Sequence, residues 1–199
     1  MVLAQIDWVD MSLLIAHLES RLGRIQSGWT RDPKGVELPF QVAEFRGGGQ
    51  LAGSTSYATV GLSAHYLPSP SGDKEMSMEL IMSTHSALAP GRLPQSLQHL
   101  TKDLLRRHTA ILRGQTFTLP GAVADGSVLS ALYAAVPGYF DEDFDSVEIE
   151  DGRGVAVVWM IPISVSERDY VSDSGWDVFE RRLVDKDPDL LDLNRPSIC

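Results

Sequence analysis

The sequence predicts an α+β fold: one domain over residues 1–199, with a mixed or mainly antiparallel sheet backed by helices. Three observations point there. Two long segments carry apolar residues at helical spacing, and five shorter ones are rich in strand-forming residues. No internal repeat, low-complexity tract or linker divides the chain.

Met11, Leu14, Ile15, Leu18, Leu22 and Ile25 recur on one helical face after Asp10, a good N-cap, with Gly28 able to end the helix. Val36, Leu38, Phe40 and Val42 then alternate with Glu37, Pro39 and Gln41, the pattern of a half-buried strand, and the proline suggests an edge. Gly47-Gly48-Gly49 turns the chain. Ser54 to Tyr66 reads as a strand from its Tyr, Thr and Val content, and Glu75 to Met82 as another with Met76, Met78, Leu80 and Met82 on one face. That methionine stripe has the period of a strand packed on a helix, so it reads as core.

Leu93, Leu97, Leu100 and Leu104 mark a second helix, with Pro94 in its first turn and the Gly114 region closing it. Thr116 to Leu119 follows as a short strand. Val128 to Val136 reads as a short helix stopped by Pro137-Gly138, DEDFD as exposed loop, and Glu150 to Gly154 as a hairpin turn. Val155 to Ile161 is apolar on both faces and belongs at the centre of a sheet. Pro162 lacks the N–H that a continued ladder needs, and Ser164 with Glu167 forms a capping box, so a helix begins there. It runs to about Asp173, Gly175 breaks it, and Trp176 to Val184 forms another.

With 43% hydrophobic and 22% charged residues the chain can bury a core of ordinary size. Asp7, Asp10 and Glu19 fall where a secretory signal needs an uninterrupted apolar core, and no stretch is apolar over the ~20 residues a membrane span needs. The one cysteine is the terminal Cys199, which excludes an internal disulfide. A cytoplasmic location is the expectation. The net charge of −10 disfavours nucleic acid as partner. From Asp141 to Asp192 there are 16 acids against 5 bases, so the acidity is confined to the C-terminal quarter, either as solvated surface or as a docking face.

Motifs for chemistry fail on inspection. Gly48 to Thr55 has P-loop-like glycine spacing, but Ser54 stands where the lysine belongs and a strand follows. Asp141-x-Asp143-x-Asp145 opens like an EF-hand, but Ser146 replaces the turn glycine and Gly152 the bidentate glutamate. The five histidines never fall at i, i+4, there is no G-x-S-x-G elbow, and Cys199 has no scaffold to orient a base. No metal, nucleotide or other cofactor is expected.

The ordered series YATVGLSAHY from Tyr57, EMSMELIMST from Glu75, LPQSLQHLTKDLLRR from Leu93 and VWMIPISVSERDYVSDSGWDVFERRL from Val158, ending in LLDLNRPSI, resembles the Suppressor of fused domain family in its compact bacterial-type form. The resemblance covers most of the chain. It implies a non-enzymatic protein-binding module. Eukaryotic members of that family sequester zinc-finger transcription factors by clamping an extended peptide beside a sheet, and the chain has the length of their first domain. Compact bacterial members are regarded as immunity proteins that neutralise a cognate toxin in the cytoplasm. In the family a Gly-Asp pair follows the long helix, and its Asp contacts the bound peptide. Gly114-Gln115 stands there in this chain, which argues against the same ligand.

Two candidate surfaces result. The acidic loop of Asp141, Glu142, Asp143 and Asp145 would steer a basic toxin domain. The stretch with Arg113, Gln115 and Phe117 would take an extended peptide by strand addition, as a regulatory adaptor does. A third reading is an enzyme whose site residues are dispersed along the chain.

Overall fold

The computed structural model describes residues 8–47, 49–149 and 152–199, the side chains of residues 8–11 excepted. Its strands are β1 (Arg24–Arg31), β2 (Glu37–Arg46), β3 (Ser54–Val60), β4 (Leu67–Pro68), β5 (Glu75–His85), β6 (Thr116–Thr118), β7 (Leu129–Ala135), β8 (Ser146–Glu148) and β9 (Gly154–Ser164). Its helices are α1 (Trp8–Leu22), α2 (Leu93–Arg107), α3 (Val165–Ser174) and α4 (Trp176–Lys186). The strands form one mixed sheet in the order β1-β2-β3-β5-β9-β7-β6, with β4 attached to β5 and β8 to β9. Among the described residues β5 and β9 alone pair in parallel; every other pairing is antiparallel. The α+β class and the mixed sheet are as the sequence indicates.

Strand alternation sorts the core into two layers. Leu14, Leu18 and Leu22 of α1 and Phe179 of α4 cover one face, packed on Phe45, Ile81, Trp159 and Ile161. The leucine stripe of α2 covers the other, packed on Met78, Leu80, Met82, Leu132 and Met160. The methionine stripe is core, and β9 is covered on both sides, which is why its sequence is apolar throughout.

Several boundaries differ from the sequence reading. Helix α1 starts at Trp8, so Asp10 lies inside it, and it ends at Leu22, not near Gly28, which belongs to β1. Gly23 makes the break: its φ is +95°, and a Cβ there would lie 2.6 Å from the Gly47 carbonyl oxygen. Strand β2 is interior, flanked by β1 and β3; Pro39 falls where β1 shifts register between Trp29 and Arg31, before the ladder to β3 begins at Gln41. Beyond Val60 the chain turns at Gly61 into a 3-10 turn, Leu62–Ala64. His108, in the left-handed conformation, closes α2.

The expected helix over Val128 to Val136 is strand β7. Its Ala-rich sequence favours a helix locally, but β7 fills the slot between β9 and β6, with Ala131 and Tyr133 on one core layer and Leu132 and Ala134 on the other. Strand β9 also continues through Pro162. The Pro162 carbonyl accepts from Arg195 on the side away from β7, so its missing N–H faces the C-terminal tail and costs no ladder bond. Ser164 then caps α3 through the expected capping box with Glu167. DEDFD is only partly loop: Glu142–Phe144 is a 3-10 turn with Phe144 buried. Gly48 and the turn residues Glu150 and Asp151 lie outside the described residues.

Candidate functional site

The two surfaces singled out by sequence lie in different places. In the acidic loop, Arg21 at the end of α1 donates to both oxygens of Asp143, at 2.6 and 2.7 Å, and lies 3.5 Å from Asp141. Gln50 binds Asp141 through its side-chain amide and accepts from the Asp141 N–H at 3.2 Å. The guanidinium holds the Asp143 carboxyl below its usual range. Asp145 accepts from Ser146, and Glu142 is exposed. The loop is therefore strapped to α1, with two of its four carboxylates engaged by one guanidinium.

The other stretch sits at a sheet edge. Among the described residues strand β6 pairs with β7 on one side and with no strand on the other. Leu119 donates to the Ser130 carbonyl and Ala134 to that of Gln115, so bonded pairs alternate through Phe117. The same alternation turns the N–H and C=O of Thr116 and Thr118 outward. This edge forms the floor of a groove of about 660 Å³ between α2, which contributes His99, Asp103 and Arg107, and the α3–α4 junction, which contributes Val171 and Trp176. The opposite edge, β1, is blunted by two register shifts and an arginine at each end.

Each sequence-selected residue at β6 has a definite place. Phe117 packs partly buried on the α2 layer. Gln115 lines the groove, but its side-chain oxygen accepts from the Leu112 N–H at 2.9 Å and so closes its own turn. Arg113 is held by Glu180, donating from Nε at 2.9 Å, and stacks 4.8 Å from the centre of the Trp176 ring. Tyr133 donates to the same Glu180 at 2.8 Å, and burial together with that carboxylate pushes its phenol far up. Arg113 is thus a positioning residue: it sets the indole of Trp176, 42% exposed, at one end of the groove. Gly114 is required there, since its φ is +89° and a Cβ would lie 2.5 Å from that indole.

Sequence reading missed Trp176 and the α2 wall. A usable signal exists: Arg92, Gln95, His99 and Lys102 recur at helical spacing on the face opposite the leucines. A polar stripe of that kind usually only solvates a helix. Packing is what turns His99 of this stripe toward β6 and the other three toward the Pro120–Ala122 turn beyond it. Among the described residues no group of three or more His, Cys, Asp and Glu side chains is placed to hold a metal, and no helix is long and apolar enough to cross a membrane.

An open sheet edge lying in a groove between helices, with an exposed indole at one end, is the candidate site of this α+β domain. The chain belongs to the Suppressor of fused protein (SUFU) family, whose model matches residues 37–196. A SUFU homologue from Neisseria gonorrhoeae has the same fold, with a TM-score of 0.73 at 18% identity over 96% of this chain and 97% of that one. The Sufu–Fu complex gives 0.67 at 12% identity over 95% and 92%. Drosophila Suppressor of Fused gives 0.68 at 14% identity over 96% of this chain but only 51% of that one. No curated protein matches the chain.

Proposed function

We propose that this chain is a non-enzymatic protein-interaction module that takes an extended segment of a partner protein as an added strand on β6. One observation carries this: the outward N–H and C=O groups of Thr116 and Thr118 line the floor of a groove of about 660 Å³ that ends on Trp176. Strand addition draws affinity from such backbone groups and specificity from flanking pockets. That a family relative is known in a complex, Sufu–Fu, supports a protein as the ligand.

The test uses a displayed library of random 12-residue peptides. Thr116→Pro removes one outward donor and no bond to β7, a substitution an edge strand tolerates; Thr116→Val removes the hydroxyl and keeps the donor. Peptides selected on the wild type should bind the Val variant and fail on the Pro variant, with the melting midpoint of both unchanged. Equal binding by all three proteins overturns the proposal.

A second reading, a cytoplasmic immunity protein that neutralises a basic toxin domain, draws on the 16 acids against 5 bases between Asp141 and Asp192. It has less behind it. Three arginines from outside that stretch already engage its acids, Arg21 with Asp141 and Asp143, Arg113 with Glu180 and Arg195 with Glu167, so part of the acid excess is answered within the fold.

A further inference from the structure

The groove does not stop at the end of β6. A second cavity of about 480 Å³ adjoins it, sharing His99 and Leu119 as lining residues and continuing past Pro120 toward the first turn of α2. The two form one track, with Trp176 at one end and the β1–β2 turn at the other. Their chemistry differs. The β6 part balances Asp103 against Arg107, whereas the second cavity is lined by Lys34, Arg92 and Lys102 with Asp32 as its one carboxylate.

The partners of these cations decide what the pocket can accept. Lys102 donates to Asp32 at 2.8 Å, and that carboxylate is only 6% exposed; the ammonium holds its pKa below the usual range. Arg92 reaches Asp125 at 2.8 Å, but both side chains lie in solvent, where such a pair holds weakly. Lys34 is exposed, and its backbone N–H is tied to Asp32, so its ammonium stands at the rim. His99, exposed between the two cavities, makes no hydrogen bond among the described residues. In a chain of net charge −10, a pocket where three cations face one buried carboxylate is a local inversion of sign.

Resting on the strand-addition reading, we infer that the bound segment carries an acidic side chain, Asp or Glu, seated between Lys34, Arg92 and Lys102, and an apolar or aromatic side chain over Trp176. Gly114 to Leu119 separate the two ends, so the two side chains stand apart by about the length of a five- or six-residue strand, roughly 17–20 Å. An antiparallel addition places the acidic residue N-terminal to the aromatic one, because β6 runs from the Trp176 end toward the cationic end. The carboxylate would displace the solvent-exposed Arg92–Asp125 pair and leave Lys102–Asp32 in place.

The sequences recovered from the same 12-residue display library test this. Wild-type protein should enrich Asp or Glu at a fixed spacing of about five residues from an apolar or aromatic position. Lys34→Glu with Arg92→Glu reverses charge at two exposed positions without touching the Lys102–Asp32 link. It should weaken wild-type-selected peptides by at least tenfold and shift fresh selection to Lys or Arg at that position. Unchanged selection by the double variant, or selected peptides without acidic enrichment, overturns the inference while Thr116→Pro sensitivity keeps the strand-addition reading standing. Binding that ignores Thr116→Pro overturns both.

Discussion

Arg195→Met should be the most damaging single change in the C-terminal tail. Arg195 is 3% exposed and Glu167 fully buried; the guanidinium donates to both carboxylate oxygens, at 2.7 and 3.1 Å, and also to the carbonyls of Pro162 and Pro196. One side chain thus joins the tail, the end of β9 and the first turn of α3. Removing it strands a buried carboxylate, a loss of about 3–5 kcal/mol for breaking such a pair. Two donors remain to Glu167, the backbone N–H groups of Ser164 at 2.7 Å and Ile198 at 3.1 Å. They place the expected loss near about 3 kcal/mol, a large share of the roughly 5–15 kcal/mol that holds a domain folded. In urea the midpoint should fall by roughly 1.5 M, for a slope of about 2 kcal/mol per molar. Glu167→Gln combined with Arg195→Met removes both charges, and the double variant should be more stable than the sum of the two singles by at least ~1 kcal/mol. A single variant within about 1 kcal/mol of wild type, or strict additivity in the double, refutes the argument.

Trp159→Ser should cost on the order of 3–5 kcal/mol, since the indole is 2% exposed in the α1 layer. Its Nε1 has no hydrogen-bond partner among the described residues, so Trp159→Phe should cost less than about 1.5 kcal/mol, and thermal melts of the two variants check the difference. Burial raises the pKa of Glu79 above its ordinary 4.5, against the opposing hydrogen bonds from Thr59, Ser63 and Gly61. The fold therefore favours the neutral acid: the contribution is present below the unfolded pKa and lost as pH rises through the higher folded one. Glu79→Gln, neutral throughout, should flatten that fall, and parallel urea midpoints for both proteins from pH 4.5 to neutral would exclude it. Replacing Asp141, Glu142, Asp143 and Asp145 by Asn or Gln should leave the fold intact. If the loop steers a basic partner, the on-rate should drop and lose its salt dependence, whereas strand addition predicts an unchanged on-rate; stopped-flow at two salt concentrations separates them.

The site was less legible than the fold. Phe117 lies on β6 and Arg113 and Gln115 just before it, yet Arg113 and Gln115 are largely occupied within the chain, by Glu180 and by the Leu112 N–H, and the edge itself offers mostly backbone. Backbone exposure leaves no mark on residue identity. Trp176 and Lys102 reach the same track from sequence positions 74 residues apart, which only packing could bring together.

What the sequence determined by itself is the set of elements whose signal is local and whose burial agrees with it. The leucine stripe of α2, the capping box of Ser164 and Glu167, the break at Gly175 and the two-faced apolar run of β9 are of this kind, because side-chain period and cap chemistry act within a few residues. What only the tertiary structure decided is whatever depends on a neighbour far along the chain. Leu129–Ala135 became a strand because β9 and β6 leave a slot there, and Pro39 became interior because β1 bulges beside it. Two of the acidic loop's four carboxylates are engaged by Arg21, more than 100 residues away, since an ion pair depends on distance in space and not on separation in sequence.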